Sequence, residues 1–144
     1  MPSRRWAGLA IALLIGTLLM CAAPQDLTVA EEGVGRFHEQ FSSGQFAAIY
    51  AEADPALQEG GEAEFAEVMR RLREQYGDVR SSELTASKWQ IGNVLLEDKP
   101  FSGTFVIMAY RTEFSSGPAT ETFTWRMTDG RAVLMGYVVE PESP

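Results

Sequence analysis

Cysteine is almost missing from this 144-residue chain. Cys21 is the only one, so no internal disulfide can form and the fold must rest on its hydrophobic core. Histidine is as scarce, with His38 alone, and a lone histidine without a neighbouring Cys or His makes a poor metal site. Positive charge is short too. Twelve Lys and Arg stand against twenty Asp and Glu, a formal net charge of −8, which excludes the basic footprint that nucleic acid requires. No internal repeat, phosphate loop, nucleophile elbow or metal-ligand cluster occurs, so the motifs name no cofactor and no reaction.

What is present begins with an address. Arg4 and Arg5 form a charged head, Trp6 to Met20 an apolar body, and the polar segment from Gln25 ends it, the layout of a secretory signal. The body has about fifteen residues, short of the roughly 20 that span a bilayer; carried through Ala23 it reaches about eighteen, which a thin bilayer accommodates. The best ordinary cleavage site would place Pro24 just after the cut, a poor substrate for a protease that needs extended backbone. Leu18-Leu19-Met20-Cys21 resembles the lipobox of bacterial lipoproteins, with Met20 where Gly, Ala or Ser is usual, and two readings of Cys21 lead a third, an incidental apolar cysteine. One takes residues 1–20 as a signal peptide and Cys21 as a lipidated first residue followed by a tether over residues 21–26. The other keeps the segment as an uncleaved helical anchor. Either exports the domain to the periplasm or cell exterior, attached to a membrane through its N-terminus. Losing residues 1–20 removes two arginines and no acid, taking the charge from −8 to −10, so nothing in the domain itself attracts an anionic lipid surface.

Residues 27–140 read as one domain, with a tail at 141–144. Thr28-Val29-Ala30-Glu31 has the form of a capping box, and Leu27, Ala30, Val34, Phe37 and Phe41 recur at helical spacing until Ser42-Ser43-Gly44. A shorter helix carries Phe46, Ile49 and Tyr50, then Asp54-Pro55 opens another turn; a third helix places Phe65, Val68, Met69, Leu72 and Tyr76 on one face. From Val79 the period falls to two and threonine, valine and aromatics become frequent, so strands follow: Leu84 to Ile91, Gly103 to Phe114, Thr120 to Thr128, and Ala132 to Glu140. Asp129-Gly130 is a strong two-residue hairpin signal. Setting Thr128 opposite Arg131 puts Trp125 opposite Leu134 and Phe123 opposite Gly136. Val138 would then face the helices, and Val133, Met135, Tyr137 and Val139 would face away.

Helices first and an antiparallel sheet after make an α+β fold. In this order the chain resembles the nuclear transport factor 2-like (cystatin-like) superfamily, especially its small secreted bacterial lipoprotein branches of unknown function. The residues that carry the likeness are Phe37 through Phe41, "GQFAAIY" at Gly44–Tyr50, Gly77-Asp78-Val79, "YRTEF" at Tyr110–Phe114, "ETFTW" at Glu121–Trp125 and "DGRAVLMGY" ending at Tyr137. The resemblance implies three helices on the concave face of a curved, mainly four-stranded antiparallel sheet, forming a cone. It implies no activity, because that fold hosts isomerases, dehydratases, adaptors and inert accessory domains alike.

The candidate residues are few. Phe37, Phe41, Tyr50, Met69, Trp89, Tyr110 and Trp125 are large enough to line a ligand cavity in the cone, and their spacing equally suits a filled core, the reading preferred here. His38 lies off the apolar stripe and reads as a rim histidine. Glu113 and Glu121 flank a turn, where a carboxylate pair is usually solvated. No catalytic residue is assigned. The expected function is a non-catalytic extracytoplasmic accessory or binding domain; the alternative is an isomerase or dehydratase using Glu121, Glu113 or His38 in the cone. Phe105, Ile107, Val133, Met135, Tyr137 and Val139 gather on the outer sheet face, an apolar surface that suits a protein partner or a back-to-back homodimer. Leu95, Leu96 and the loop before Pro100 folding back across that face would cover it instead.

Overall fold

The computed structural model describes residues 23–143. The signal segment and Cys21 lie outside the described residues. Three helices, α1 (Ala23–Ser42), α2 (Phe46–Glu52) and α3 (Glu62–Tyr76), precede four strands, β1 (Val79–Leu96), β2 (Lys99–Phe114), β3 (Gly117–Thr128) and β4 (Arg131–Pro141). The strands form one antiparallel sheet in the order β1-β2-β3-β4, and the helices cover one face of it. This is the expected α+β architecture.

The apolar stripe of α1 is the centre of the core. Ala30, Val34, Phe37 and Phe41 pack with Val106, Met108, Tyr110 and Phe114 of β2, Phe123 and Trp125 of β3, and Leu134 of β4. Helical spacing on one side and period two on the other bring these sets together, and each enclosed Phe contributes roughly 1.5–3 kcal/mol. Gly33 sits in the same interface: a Cβ there would lie 2.8 Å from the Trp125 ring, so α1 approaches β3 as closely as it does because that side chain is missing. The helix begins earlier than the capping box suggests. Thr28 and the presumed tether residues 23–26 are inside it, with Pro24 and Asp26 in its first turn, where a missing N–H and a negative charge are both tolerated. On α3, Phe65, Met69 and Tyr76 are buried, but Val68 is exposed.

The Asp129-Gly130 hairpin has the expected register at its end, with Thr128 opposite Arg131 and Trp125 opposite Leu134; both turn residues take positive φ. Immediately beyond the Trp125–Leu134 pair, the register slips. Thr124 faces Gly136, so Met135 is an extra residue on β4, and Phe123 faces Tyr137. A bulge of this kind reverses the inward–outward alternation beyond it. Tyr137 and Val139, expected on the outer face, therefore join the helix-side core, and Val138, expected inside, is 54% exposed.

Part of the outer face is covered. β1 and β2 are longer than their sequence patterns suggest and meet at a two-residue turn, Glu97-Asp98, with both residues at positive φ. The end of this hairpin folds across the sheet: Val94, Phe105 and Met135 form a second cluster, with Ala56, Leu96, Phe101 and Ile107 packed against it. Leu96 lies over Gly136 of β4, its Cδ2 3.5 Å from where a Cβ would stand. Phe105 and Met135 are thus enclosed and Val133 half-buried, so the chain's own hairpin covers part of the apolar surface that suggested a back-to-back dimer.

Candidate functional site

Glu121 follows the alternation of β3 inward, in phase with Phe123 and Trp125, and its side chain is fully enclosed. An isolated carboxylate there would be very costly. Three elements supply its partners. From α1, His38 Nε2 lies 2.8 Å from Oε2; from β2, the Thr112 hydroxyl donates to Oε2 at 2.5 Å; from β4, the Tyr137 hydroxyl donates to Oε1 at 2.6 Å. A carboxylate only accepts, and three hydrogen bonds fill most of its lone-pair sites. His38 is itself buried, one residue past Phe37 on a stripe wider than the spacing of the large apolar residues indicates, so it is not a rim residue.

Aromatic rings enclose this polar centre. Phe37 packs against Tyr137 with centroids 4.6 Å apart, edge-on to Phe123 at 5.2 Å and stacked on Phe41 at 5.9 Å. Phe123 also meets His38 at 5.8 Å and Tyr110 at 5.9 Å. Burial first, and then the Glu121 charge, pushes the Tyr137 hydroxyl far above the ordinary phenol range. Burial, reinforced by Glu31 and Glu121, pushes Tyr110 up to about 12. Both phenols hold their protons, and Tyr137 donates its own to Glu121.

The proposed cavity residues take different places. Phe37, Phe41, Met69, Tyr110 and Trp125 are buried in the core, and the rings fill the space between helices and sheet. Tyr50 is half-buried and donates to the Gln58 carbonyl at 3.2 Å. Trp89 stands on the edge strand β1, exposed, with its indole N–H donating to Asp26 at 3.2 Å. Beneath α1 a space of about 20 Å³ remains beside Gly33 and Trp125, room for roughly one water-sized probe and no substrate. Glu113 is on the opposite face from Glu121, paired with Arg111 at 2.6 Å, so the two turn carboxylates do not meet. Among the described residues no cluster of three or more His, Cys, Asp or Glu could hold a metal, and no helix is long and apolar enough to cross a membrane.

A larger recess lies elsewhere. Residues 56–60 and the end of the β1–β2 hairpin stand on either side of β4, leaving a groove of about 450 Å³ along Met135–Val138, with Leu57, Leu96 and Phe101 in its walls. Lys99 Nζ reaches Glu59 at 2.7 Å from one wall to the other. The near wall is held by Asp54, whose carboxylate accepts the Ala56 N–H at 2.9 Å and pairs with Arg126 at 3.0 Å, while its own N–H donates to the Leu134 carbonyl at 2.8 Å.

Sequence reasoning missed Thr112 and the inward turn of Tyr137. Thr112 was findable, because it is in phase with Tyr110 and Phe114; Tyr137 was not, because its direction depends on the bulge at Met135. No curated protein matches the chain. One family does, over residues 36–137, which include His38, Thr112, Glu121 and Tyr137, and the chain belongs to it: the family described as protein of unknown function, DUF4019.

Proposed function

We propose that this protein is a non-catalytic accessory or binding domain, exported and held at a membrane by its N-terminal segment, with the groove beside β4 as its ligand-facing surface. The observation that carries the non-catalytic reading is the enclosure of Glu121. Every partner of the carboxylate is an internal side chain, and the surrounding rings leave no space for a reacting molecule. A general acid or base must reach the proton that it moves. The network instead joins α1, β2, β3 and β4 through one side chain, which favours a single arrangement of helix and sheet.

The second reading, an isomerase or dehydratase, draws on the same contact, since a buried His–Glu pair is a chemistry that acid–base enzymes use. The two readings differ in what Glu121→Gln does to stability. A structural carboxylate that satisfies three donors should lose about 2–4 kcal/mol, on the order of 10 °C in Tm. Catalytic groups are often held at a cost in stability, so their replacement tends to be neutral or stabilising. Calorimetry of Glu121→Gln showing an unchanged or raised Tm would favour the enzyme.

A further inference from the structure

We propose that Trp89 and Ile91 on β1 form a membrane-docking face, seated on the bilayer to which the N-terminal segment attaches the protein; it rests on the anchored reading above. Both stand on the side of the strand turned away from the second cluster formed by Val94 and Leu96. They are 39% and 66% exposed, whereas most other large apolar side chains among the described residues are buried. An edge strand ordinarily carries charge or proline, because an apolar edge invites association. Here Lys88 carries that charge, and an indole and an aliphatic side chain stand exposed beside it.

The entry point of the chain identifies the occupant. The Trp89 indole N–H donates to Asp26 in the first turn of α1, and Ala23 is only about 4.5 Å further back along that helix. The charged head and apolar body of residues 1–20 come just before it. A bilayer reached through that segment meets the domain first at Trp89. Tryptophan suits this position, with an apolar ring for the acyl boundary and an N–H for the polar side. The domain's charge of −10 without residues 1–20 makes the contact apolar rather than electrostatic, so a zwitterionic surface is the matching chemistry.

The test uses the full chain, extracted from membranes and reconstituted into phosphatidylcholine vesicles with brominated acyl chains. Trp6→Phe removes the tryptophan of the N-terminal segment, and Trp125 is buried in the core. Tryptophan emission of the Trp6→Phe protein should be quenched by the brominated lipid, equally in low salt and at about 1 M salt. The quenching should disappear in Trp6→Phe/Trp89→Phe and fall at least about twofold in Trp6→Phe/Ile91→Glu. Vesicle-bound protein with unquenched Trp89 overturns the docking face and leaves the anchored reading intact. Wild-type protein that fails to sediment with the vesicles overturns both. Trp89 emission that is already blue-shifted without lipid, and unchanged by it, assigns this face to the chain's own leading segment.

Discussion

Glu121 is a single side chain on which four elements converge, and its partners should not behave independently. His38→Gln and Glu121→Gln should each destabilise the domain, and the double variant should be about 1–3 kcal/mol less destabilised than their sum, because either change alone already breaks the shared contact. Urea denaturation of the four proteins measures this coupling. The phenols give a pH dependence of definite sign. Tyr110 and Tyr137 have pKa values raised in the folded state, so the folded protein keeps protons that the unfolded chain releases. Their contribution is fully present below about pH 10, the unfolded phenol value, and falls as pH rises from there towards 12. Unfolding midpoints should thus decline between about pH 9.5 and 11.5, and Tyr137→Phe should flatten the decline; an equally steep fall in that variant would show that the shift of Tyr137 is not its source.

Within single elements, small differences in surroundings decide the sign of a change. Gly33 and Gly35 are two residues apart in α1, yet a Cβ on Gly33 would press into the Trp125 ring while one on Gly35 would meet nothing within 4 Å. Gly35→Ala should therefore stabilise by roughly 0.5–1 kcal/mol through helix propensity alone. Gly33→Ala should destabilise by about 1–2 kcal/mol, because the cost of overpacking exceeds the same propensity gain. Thermal melts of the two variants check both signs. Met135 is the bulged residue of β4 and is enclosed by the hairpin end. Met135→Glu should bury an unpaired charge and cost at least about 3 kcal/mol. Circular dichroism would detect the unfolding, and a folded, well-behaved variant would show that the hairpin lifts off the sheet.

For the molecule as a whole, attachment and fold are separable. The described domain closes its own core and covers part of its outer sheet face with its own hairpin, so the proposed membrane association is expected to depend on the N-terminal segment. Mass spectrometry of membrane-extracted protein should find an acylated Cys21 at the N-terminus, and Cys21→Ser should leave residues 1–20 uncleaved while the domain still folds. Intact residues 1–20 in the wild-type protein would establish the helical anchor instead.

The order of elements was legible in the residues themselves, because helical spacing in α1 and α3, period two from Val79 and the Asp129-Gly130 turn are local signals that depend on chain geometry alone. The helix-side positions of β2 and β3 followed from the same alternation, and it also carried Glu121 and Thr112 inward. Three features depended on contacts distant in sequence. His38 is buried because β3 brings Glu121 beneath α1, across 83 residues. Tyr137 turns inward because a one-residue bulge reverses β4, and no local preference marks which residue of "VLMGY" is the extra one. The hairpin covers part of the outer face because Leu96 and Phe101 find Met135 and Phe105 there, a gain in apolar burial that exists only once the sheet has formed. Local geometry determined the elements; the placement of the one buried carboxylate and of the second cluster was decided by which side chains the assembled sheet left needing partners.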